Sequence, residues 1–334
     1  MTGAGAGGGP QVVVSGARPT GRLHLGNWLG ALKNWLRLQE RHECLFFVAD
    51  WHALTTEWAQ ASDIRLATEE MVLDWLALGL DPTRCTIFQQ SAVKEHAELF
   101  LLLGMLTPVP WLERNPTYKE QRAQLVDRDL STYGFLGYPV LQAADVLMYK
   151  ATAVPVGSDQ APHIELTREI ARRFNTTFRP VFPEPATLLA ETPRILGVDG
   201  RKMSKSYGNA IYLSDAPEVI EQKLARMVTD TRRQRRSDPG EPEDCPAYVS
   251  LHRAFCTAEE LARLAEGCRT AQIGCLECKQ TMIRHVLAEL EPIRARRAQL
   301  QPRDAWAALE AGNATARRIA RETMSEVRAA VGLP

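Results

Sequence analysis

The chain has 334 residues, is 45% hydrophobic and 24% charged, and balances 40 basic against 40 acidic side chains, so its formal net charge is zero. That length suits two domains with a sizeable core. The composition excludes a disordered or fibrous chain, and no apolar run approaches the roughly 20 residues that a bilayer helix needs. The charge balance excludes binding of nucleic acid through bulk charge, so any RNA contact has to be local.

The first ten residues, MTGAGAGGGP, have neither a basic nor an apolar segment and are expected to be a disordered tail rather than a secretory signal. Seven cysteines without such a signal suit reduced thiols or metal ligands in a cytoplasmic protein. Residues 11–15 form a β-branched run ending at Gly16, and 25–39 have the spacing of an amphipathic helix. A second strand is expected at 44–49. A helix follows at 62–78, with Ile64, Met71, Trp75 and Leu78 on one face and Gly79, Asp81 and Pro82 at its end, and a third strand at 86–90. This alternation predicts an α/β fold built on a doubly wound parallel sheet, with ligand at the C-terminal strand ends.

Residues 93–150 read as mainly helical with a proline break at 107–110, and a buried strand returns at 153–156, so the Rossmann-like sheet is split by a helical insertion. After a short segment at 210–213 the pattern is helical only, at 218–228, 257–266, 278–290 and 304–330, with an exposed loop at 231–244. The expected division is a tail at 1–10, a catalytic domain at 11–213 and an all-helical domain at 214–334. Arginines cluster at Arg232, Arg233, Arg235 and Arg236, and again at Arg317, Arg318 and Arg321. Each cluster suits either a solvated face or a local RNA contact.

Between the first strand and helix lies GARPTGRLHLGN, from Gly16 to Asn27. Its glycines let backbone N–H groups approach a ligand, and a helix start favours an anion. Gly16 and Gly21 have the separation of a P-loop, but Arg22 and Leu23 stand where the Lys and Ser/Thr should be, which excludes that class of nucleotide hydrolase. The run His24-Leu25-Gly26-Asn27 resembles the HIGH signature of class I aminoacyl-tRNA synthetases. Downstream, Lys202-Met203-Ser204-Lys205-Ser206 resembles their KMSKS loop letter for letter, flanked by Gly200 and Gly208. Two lysines and two hydroxyls in such a segment can meet a triphosphate and the charge that develops on leaving pyrophosphate.

Two more segments, YPVLQAADVLMY at 138–149 and VPVGSDQAPHIELTREIARRFN at 154–175, resemble the tryptophanyl members of that family. Tyr138, Gln142, Asp145 and Tyr149 fall at i, i+4, i+7 and i+11 and so share a helical face. A buried carboxylate there needs a donor, either an indole N–H or a neighbouring Lys or Arg. The resemblance, which runs from Val12 almost to the C-terminus, implies an ATP-dependent tryptophan–tRNA ligase in which Asp145 reads the indole. It also implies that Tyr138 and Gln160 hold the α-amino group, and that Gln142 completes the tryptophan-binding set.

By the same resemblance, His24, Asn27, Lys202 and Lys205 are catalytic. The implied ATP site comprises Arg18, Pro19, Thr20, Gly26, Asn27, Gly157, Ser158, Asp159, Ile195, Lys202, Met203, Ser204, Lys205 and Ser206. ATP would bring Mg2+, tRNA(Trp) would be the RNA partner, a homodimer the assembly and the helical domain the anticodon reader. Many bacterial members carry Gln, Ser and Glu where this chain has Arg18, Thr20 and Ser158, and Met where it has Gln142. A subgroup that shares the HLG signature and the ADWHALTT segment at 49–56 carries several of these departures. Tyrosyl enzymes share both signatures, but Asp145 and the GSDQ context argue against them, and Lys202 and Lys205 argue against a catalytically silent relative.

Cys245, Cys268, Cys275 and Cys278 are separated by twenty-two, six and two residues. A Cys-x-x-Cys pair near two further cysteines suits zinc or an iron–sulfur cluster, with unligated thiols as the third possibility. The same spacing occurs in some tryptophanyl-tRNA synthetases that hold a 4Fe-4S cluster, so the resemblance implies that group here. Cys44, Cys85 and Cys256 are then expected to be buried thiols.

Overall fold

The computed structural model describes residues 10–58, 63–116, 118–119, 131–157, 160–189 and 195–334. The tail expected at 1–10 therefore lies almost wholly outside the described residues, as do Ser158 and Asp159 of the expected ATP site and the side chain of Ser206. The strands are β1 (Val12–Ala17), β2 (Glu43–Val48), β3 (Cys85–Gln89), β4 (Ala153–Val156) and β5 (Ala186–Leu189). The main helices are α1 (Asp50–Glu57), α2 (Ile64–Leu78), α3 (Glu95–Leu106), α4 (Tyr133–Met148) and α5 (Ala161–Thr177). They continue with α6 (Pro217–Ala225), α7 (Ala258–Arg269), α8 (Cys275–Gln299) and α9 (Pro302–Val331).

All pairings in the sheet are parallel, in the order β3-β2-β1-β4-β5. Cys44 stands opposite Cys85, and Val13 opposite Ala153. The interior strand β2 is buried at every position after Glu43, which is why its sequence, ECLFFV, is a continuous apolar run and not an alternating one. β5 is a four-residue edge strand behind Pro180, Pro183 and Pro185, and that proline context hides it in the sequence. The helix expected at 25–39 is interrupted: Leu25–Asn27 leads into a wide π-turn, Trp28–Leu32, and then Lys33–Leu38. Such bulges are frequent beside functional residues.

Contacts divide the chain into two compact units, one of Met1–Gly21, Trp35–Ala190 and Gln301–Pro334, the other of Arg22–Asn34 and Glu191–Leu300. This differs from the expected boundary between 213 and 214. In the first unit α9 packs against the edge strand β3. A Cβ at Gly312 would fall 1.9 Å from the Ile87 carbonyl oxygen, and the Gln89 N–H donates to Asn313 Oδ1 at 2.8 Å. A helix seated on an unpaired sheet edge belongs to that sheet's core, however late it comes in the chain. Val327, Met324 and Ala320 of α9 accordingly share one apolar cluster with Val14, Leu45 and Phe88.

In the second unit, the segment around His24 pairs with a distant one. The Leu25 N–H donates to the Ile211 carbonyl at 2.9 Å and the Leu213 N–H to the Leu23 carbonyl at 3.0 Å. Among the described residues no helix is long and apolar enough to cross a membrane.

Candidate active site

The strand order changes direction between β1 and β4, the point where an open α/β sheet leaves a crevice beyond its carboxyl ends. Four segments leave the sheet at that end. After β1 come Arg18, Pro19 and Thr20, after β2 Asp50 and His52, after β3 Gln90, and after β4 Gly157. A Cβ at Gly16 would fall 2.5 Å from the Phe47 ring, so the first turn requires glycine. Arg18 is exposed and its Nη1 donates to Thr56 Oγ1 at 3.3 Å. Asp50 ties two strand ends together, accepting from the Trp51 and Ser91 N–H groups at 3.0 Å and from Gln89 Nε2 at 2.7 Å.

On α4, Asp145 is wholly buried. Among the described residues its partners are two histidines and a glutamine, not a Lys or Arg. Its Oδ1 accepts from His96 Nδ1 at 2.6 Å and from Gln90 Nε2 at 2.8 Å, and its Oδ2 from His52 Nε2 at 2.8 Å and from the same Gln90 nitrogen at 2.9 Å. Burial alone would raise the carboxyl, but the hydrogen bonds from His52 and His96, and then their charge, outweigh it and hold it below its ordinary value. Burial also keeps the Tyr149 phenol far above its usual range, with the Asp145 charge adding to it. Its oxygen lies 2.7 Å from His96 Nε2, so His96 bridges Tyr149 and Asp145 through its two ring nitrogens.

The sequence pattern puts Asp145 and Tyr149 on one face but misses three partners. Gln90, His52 and His96 come from the end of β3, from α1 and from α3. Gln90 also anchors the network to backbone, since its Oε1 accepts from the Trp51 N–H at 3.2 Å and the His52 N–H at 3.4 Å. The signal that could have found them is a polar residue just past an apolar parallel strand and a lone histidine in an apolar helix.

Tyr138, one face with Asp145, is buried, and its ring meets His52 edge-on with centroids 6.5 Å apart. Its oxygen lies 3.2 Å from His163 Nε2, whose Nδ1 is 3.1 Å from the Asn115 amide. Burial raises this phenol as well, against the opposing charge of Arg18. Gln142 is half-buried one turn before Asp145. Gln160 sits at the N-cap of α5 and its N–H donates to the Gly157 carbonyl at 3.0 Å.

In the second unit the two nucleotide motifs meet. His24 is the N-cap of Leu25–Asn27: its Nδ1 accepts from the Asn27 N–H at 3.3 Å while its own N–H donates to Asn27 Oδ1 at 3.0 Å. Burial, then the charge of Lys205, lowers the imidazole to about 4, so the ring is neutral near pH 7. With Nδ1 an acceptor, the ring proton resides on Nε2. A Cβ at Gly26 would lie 3.7 Å from Met203 Cβ, so the HLGN turn rests on the KMSKS segment.

Met203 is buried and its N–H donates to the Ile195 carbonyl at 2.9 Å. Asn209 braces the loop: its Oδ1 accepts from the Ser204 N–H at 2.8 Å and its Nδ2 donates to the Lys202 carbonyl at 3.2 Å and to Asp199 at 2.7 Å. Gly208 closes the turn in the left-handed region at φ 63°. Lys202 is exposed.

The four expected metal ligands, Cys245, Cys268, Cys275 and Cys278, all belong to this unit, but they are not among the described residues whose donor atoms lie close enough to share one ion. Cys278 is pushed up to about 12, first by burial and then by Cys245, Cys268 and Cys275. Burial raises Cys268 too, with Arg233 opposing and Cys245 and Cys275 adding. Arg233 Nη1 lies 3.9 Å from the sulfurs of both Cys268 and Cys275. Of the first arginine cluster only Arg233 turns inward, buried and donating to the Arg236 and Ile273 carbonyls; Arg232, Arg235 and Arg236 are exposed, Arg232 pairing with Asp230 and Asp244. Arg317, Arg318 and Arg321 are engaged as well, with the Ala92 carbonyl, Glu322 and Glu95. Cys44 and Cys85 are buried as expected, but Cys256 is only half-buried.

Residues 7–291 match the family model for class I tRNA synthetases (W and Y). The chain is 52% identical to the tryptophan–tRNA ligase of Thermotoga maritima over 96% of its own length and 99% of that protein. It is 45% identical to that of Aquifex aeolicus over 96% and 100%. Among solved structures, tryptophanyl-tRNA synthetase from Campylobacter jejuni, complexed with ADP and tryptophan, superposes with a TM-score of 0.85 at 31% identity, covering 96% of this chain and 100% of that one. Tyrosyl-tRNA synthetase from Archaeoglobus fulgidus shares the fold with a TM-score of 0.65 at 23% identity. Likeness over the full length, at an identity far above that of the tyrosyl fold relative, places this chain in the tryptophan–tRNA ligase family of class I tRNA synthetases.

Proposed function

We propose that the chain activates L-tryptophan with ATP to tryptophanyl-adenylate and pyrophosphate, then transfers tryptophan to the 3′-terminal ribose of tRNA(Trp). The observation that carries the amino-acid assignment is Asp145, a wholly buried carboxylate held in its charged form. A carboxylate offers about four acceptor positions, and here each is engaged. The indole N–H therefore takes the position of one existing donor. His52 is the one to yield, since its side chain retains 11% exposure and that of His96 none. Tyr138 and Gln160 hold the α-amino group, and Gln142 flanks the ring.

The tryptophan carboxylate attacks the α-phosphorus in line, so no protein nucleophile is required. His24 donates from Nε2 to a phosphate oxygen as a neutral imidazole, and the amide of Asn27 assists. Lys202 and Lys205 follow the pyrophosphate as charge builds on it. Arg18, Pro19, Thr20, Gly26, Gly157, Ser158, Asp159, Ile195, Met203, Ser204 and Ser206 complete the ATP contacts, and Mg2+ arrives with ATP. The protein acts in the cytoplasm as a homodimer, with the helices between 214 and 300 reading the anticodon.

Cys245, Cys268, Cys275 and Cys278 supply the donor type of a thiolate-bound group, and two observations favour one: Arg233 Nη1 lies 3.9 Å from two of the sulfurs, and Cys245 and Cys275 add to the rise of Cys268. We read that group as a 4Fe-4S cluster, whose cationic core would neutralise the thiolates and fix the segments that carry them. Protein purified without oxygen is expected to be brown, with about four irons per chain; one zinc and no iron would replace this reading by a structural zinc site. Amino-acid-dependent pyrophosphate exchange with each of the twenty amino acids tests the main assignment. Tryptophan alone should support it, and stronger exchange with tyrosine would overturn it.

A further inference from the structure

Apart from the nucleotide motifs, one set of ligand-type side chains converges in the second unit. The sulfur of Cys256, a carboxylate oxygen of Glu260 and a ring nitrogen of His285 all lie within 4.8 Å of one another. Local sequence explains two of the three. Thr257 N-caps α7, with its Oγ1 accepting from the Glu260 N–H at 3.2 Å, and Glu260 folds back to accept from the Thr257 N–H at 3.0 Å. This capping box turns the carboxylate toward Cys256, the residue just before the cap. The third comes from α8, where His285 Nε2 lies 2.9 and 2.8 Å from the two Glu260 oxygens.

We propose that Cys256, Glu260 and His285 form a divalent-metal site of the zinc class, three protein ligands with solvent in the fourth position, separate from the four-cysteine group. One thiolate, one imidazole and one carboxylate suit zinc, whereas magnesium and calcium prefer oxygen alone. Zinc bonds of about 2.0–2.3 Å in a tetrahedron set donors on the order of 3.5 Å apart, so the observed triangle needs only a small closure. All three side chains are half-buried, which leaves a face for the fourth ligand. The hydrogen bond between His285 Nε2 and Glu260 marks lone pairs that already point at one another, and the metal takes the place of the shared proton. Cys256 is pushed up to about 11 by burial and then by the Glu260 charge, so it is a thiol until metal displaces its proton. Bound metal joins the start of α7 to α8.

Cobalt is the probe, with full-length protein as purified and two variants, Cys256→Ser and His285→Ala. Relative to both variants, wild type should show additional tetrahedral cobalt absorption and an additional thiolate-to-cobalt band. Their cobalt affinity should fall by at least about 100-fold, since even outer partners of metal ligands contribute about 10–100-fold. The four-cysteine group is present in all three proteins, so its own signal cancels in the differences. Added zinc should raise the Tm of wild type and leave that of both variants unmoved. Cys256→Ser is nearly isosteric, and unchanged pyrophosphate exchange certifies its fold. Identical cobalt spectra and identical zinc responses in all three would overturn the proposal and leave Glu260 and His285 as a plain hydrogen-bonded pair.

Discussion

Asp145 and Lys202 bear opposite charges in opposite surroundings. Asp145 has no exposed surface and is gripped by His52, His96 and Gln90, while Lys202 is exposed on a loop whose backbone, not its ammonium, is braced by Asn209. The difference follows from what each group has to do. Discrimination between aromatic rings requires an acceptor fixed in place and stripped of water, so that a wrong ring leaves an unpaired polar group. Assistance to a departing pyrophosphate requires a cation that can move and whose value is realised only in the transition state. A rigid buried network suits the first task and a braced loop with an exposed lysine suits the second.

Asp145→Ala should show the larger effect. It strands three buried donors and breaks a buried charge network, at a cost of roughly 3–5 kcal/mol, read as a lower urea midpoint. Tryptophan selectivity in pyrophosphate exchange should fall with it. A variant of wild-type stability that still prefers tryptophan would break the contrast, because the network would then be ornamental.

Lys202→Ala and Lys205→Ala should each slow single-turnover adenylate formation, on the order of 10²–10³-fold as for other preorganised charge partners. Tryptophan affinity and the urea midpoint should hardly move. Loss of stability comparable to that of Asp145→Ala would mean that the loop is as structural as the pocket.

Gly312→Ala probes packing rather than charge. The new Cβ meets the Ile87 carbonyl oxygen at 1.9 Å, and relief by backbone shift should lower stability by roughly 1–3 kcal/mol. Thermal unfolding measures it, and an unchanged Tm would argue against the seating of α9 on β3.

The smallest effect concerns His24. Its folded value of about 4 lies below the ordinary 6.5, so the unfolded chain binds the extra proton between those two pH values. The stability it contributes is complete above 6.5 and drains as pH falls toward 4. In the catalytic rate, His24 should produce no inflection between about pH 7.5 and about pH 5.5, because the imidazole is neutral throughout. An inflection near 6.5 that vanishes in His24→Gln would contradict the neutral donor.

Much of the chemistry is legible in the amino-acid sequence alone. The HLGN and KMSKS runs each set their own short turns, and the spacing from Tyr138 to Tyr149 is a property of one helix. The strands β1, β2 and β4 announce themselves as apolar runs because both faces of a parallel sheet are covered. Local sequence reveals these because each depends on neighbours within a few residues.

Tertiary structure decided what depends on distant partners. The helical spacing leaves Asp145 in need of a donor, yet its donors come from the end of β3, from α1 and from α3, and no local pattern ties those segments to α4. The periodicity of the last helix suits a separate helical domain, yet Gly312 and Asn313 seat it on β3. The arginines at 232–236 suit a surface for RNA, yet Arg233 turns inward to two cysteine sulfurs and two carbonyls. In each case the sequence by itself determined that a polar group had to be satisfied, because an unpaired buried one is too costly. Which group satisfies it was settled only when folding brought residues far apart in the chain to within hydrogen-bonding reach.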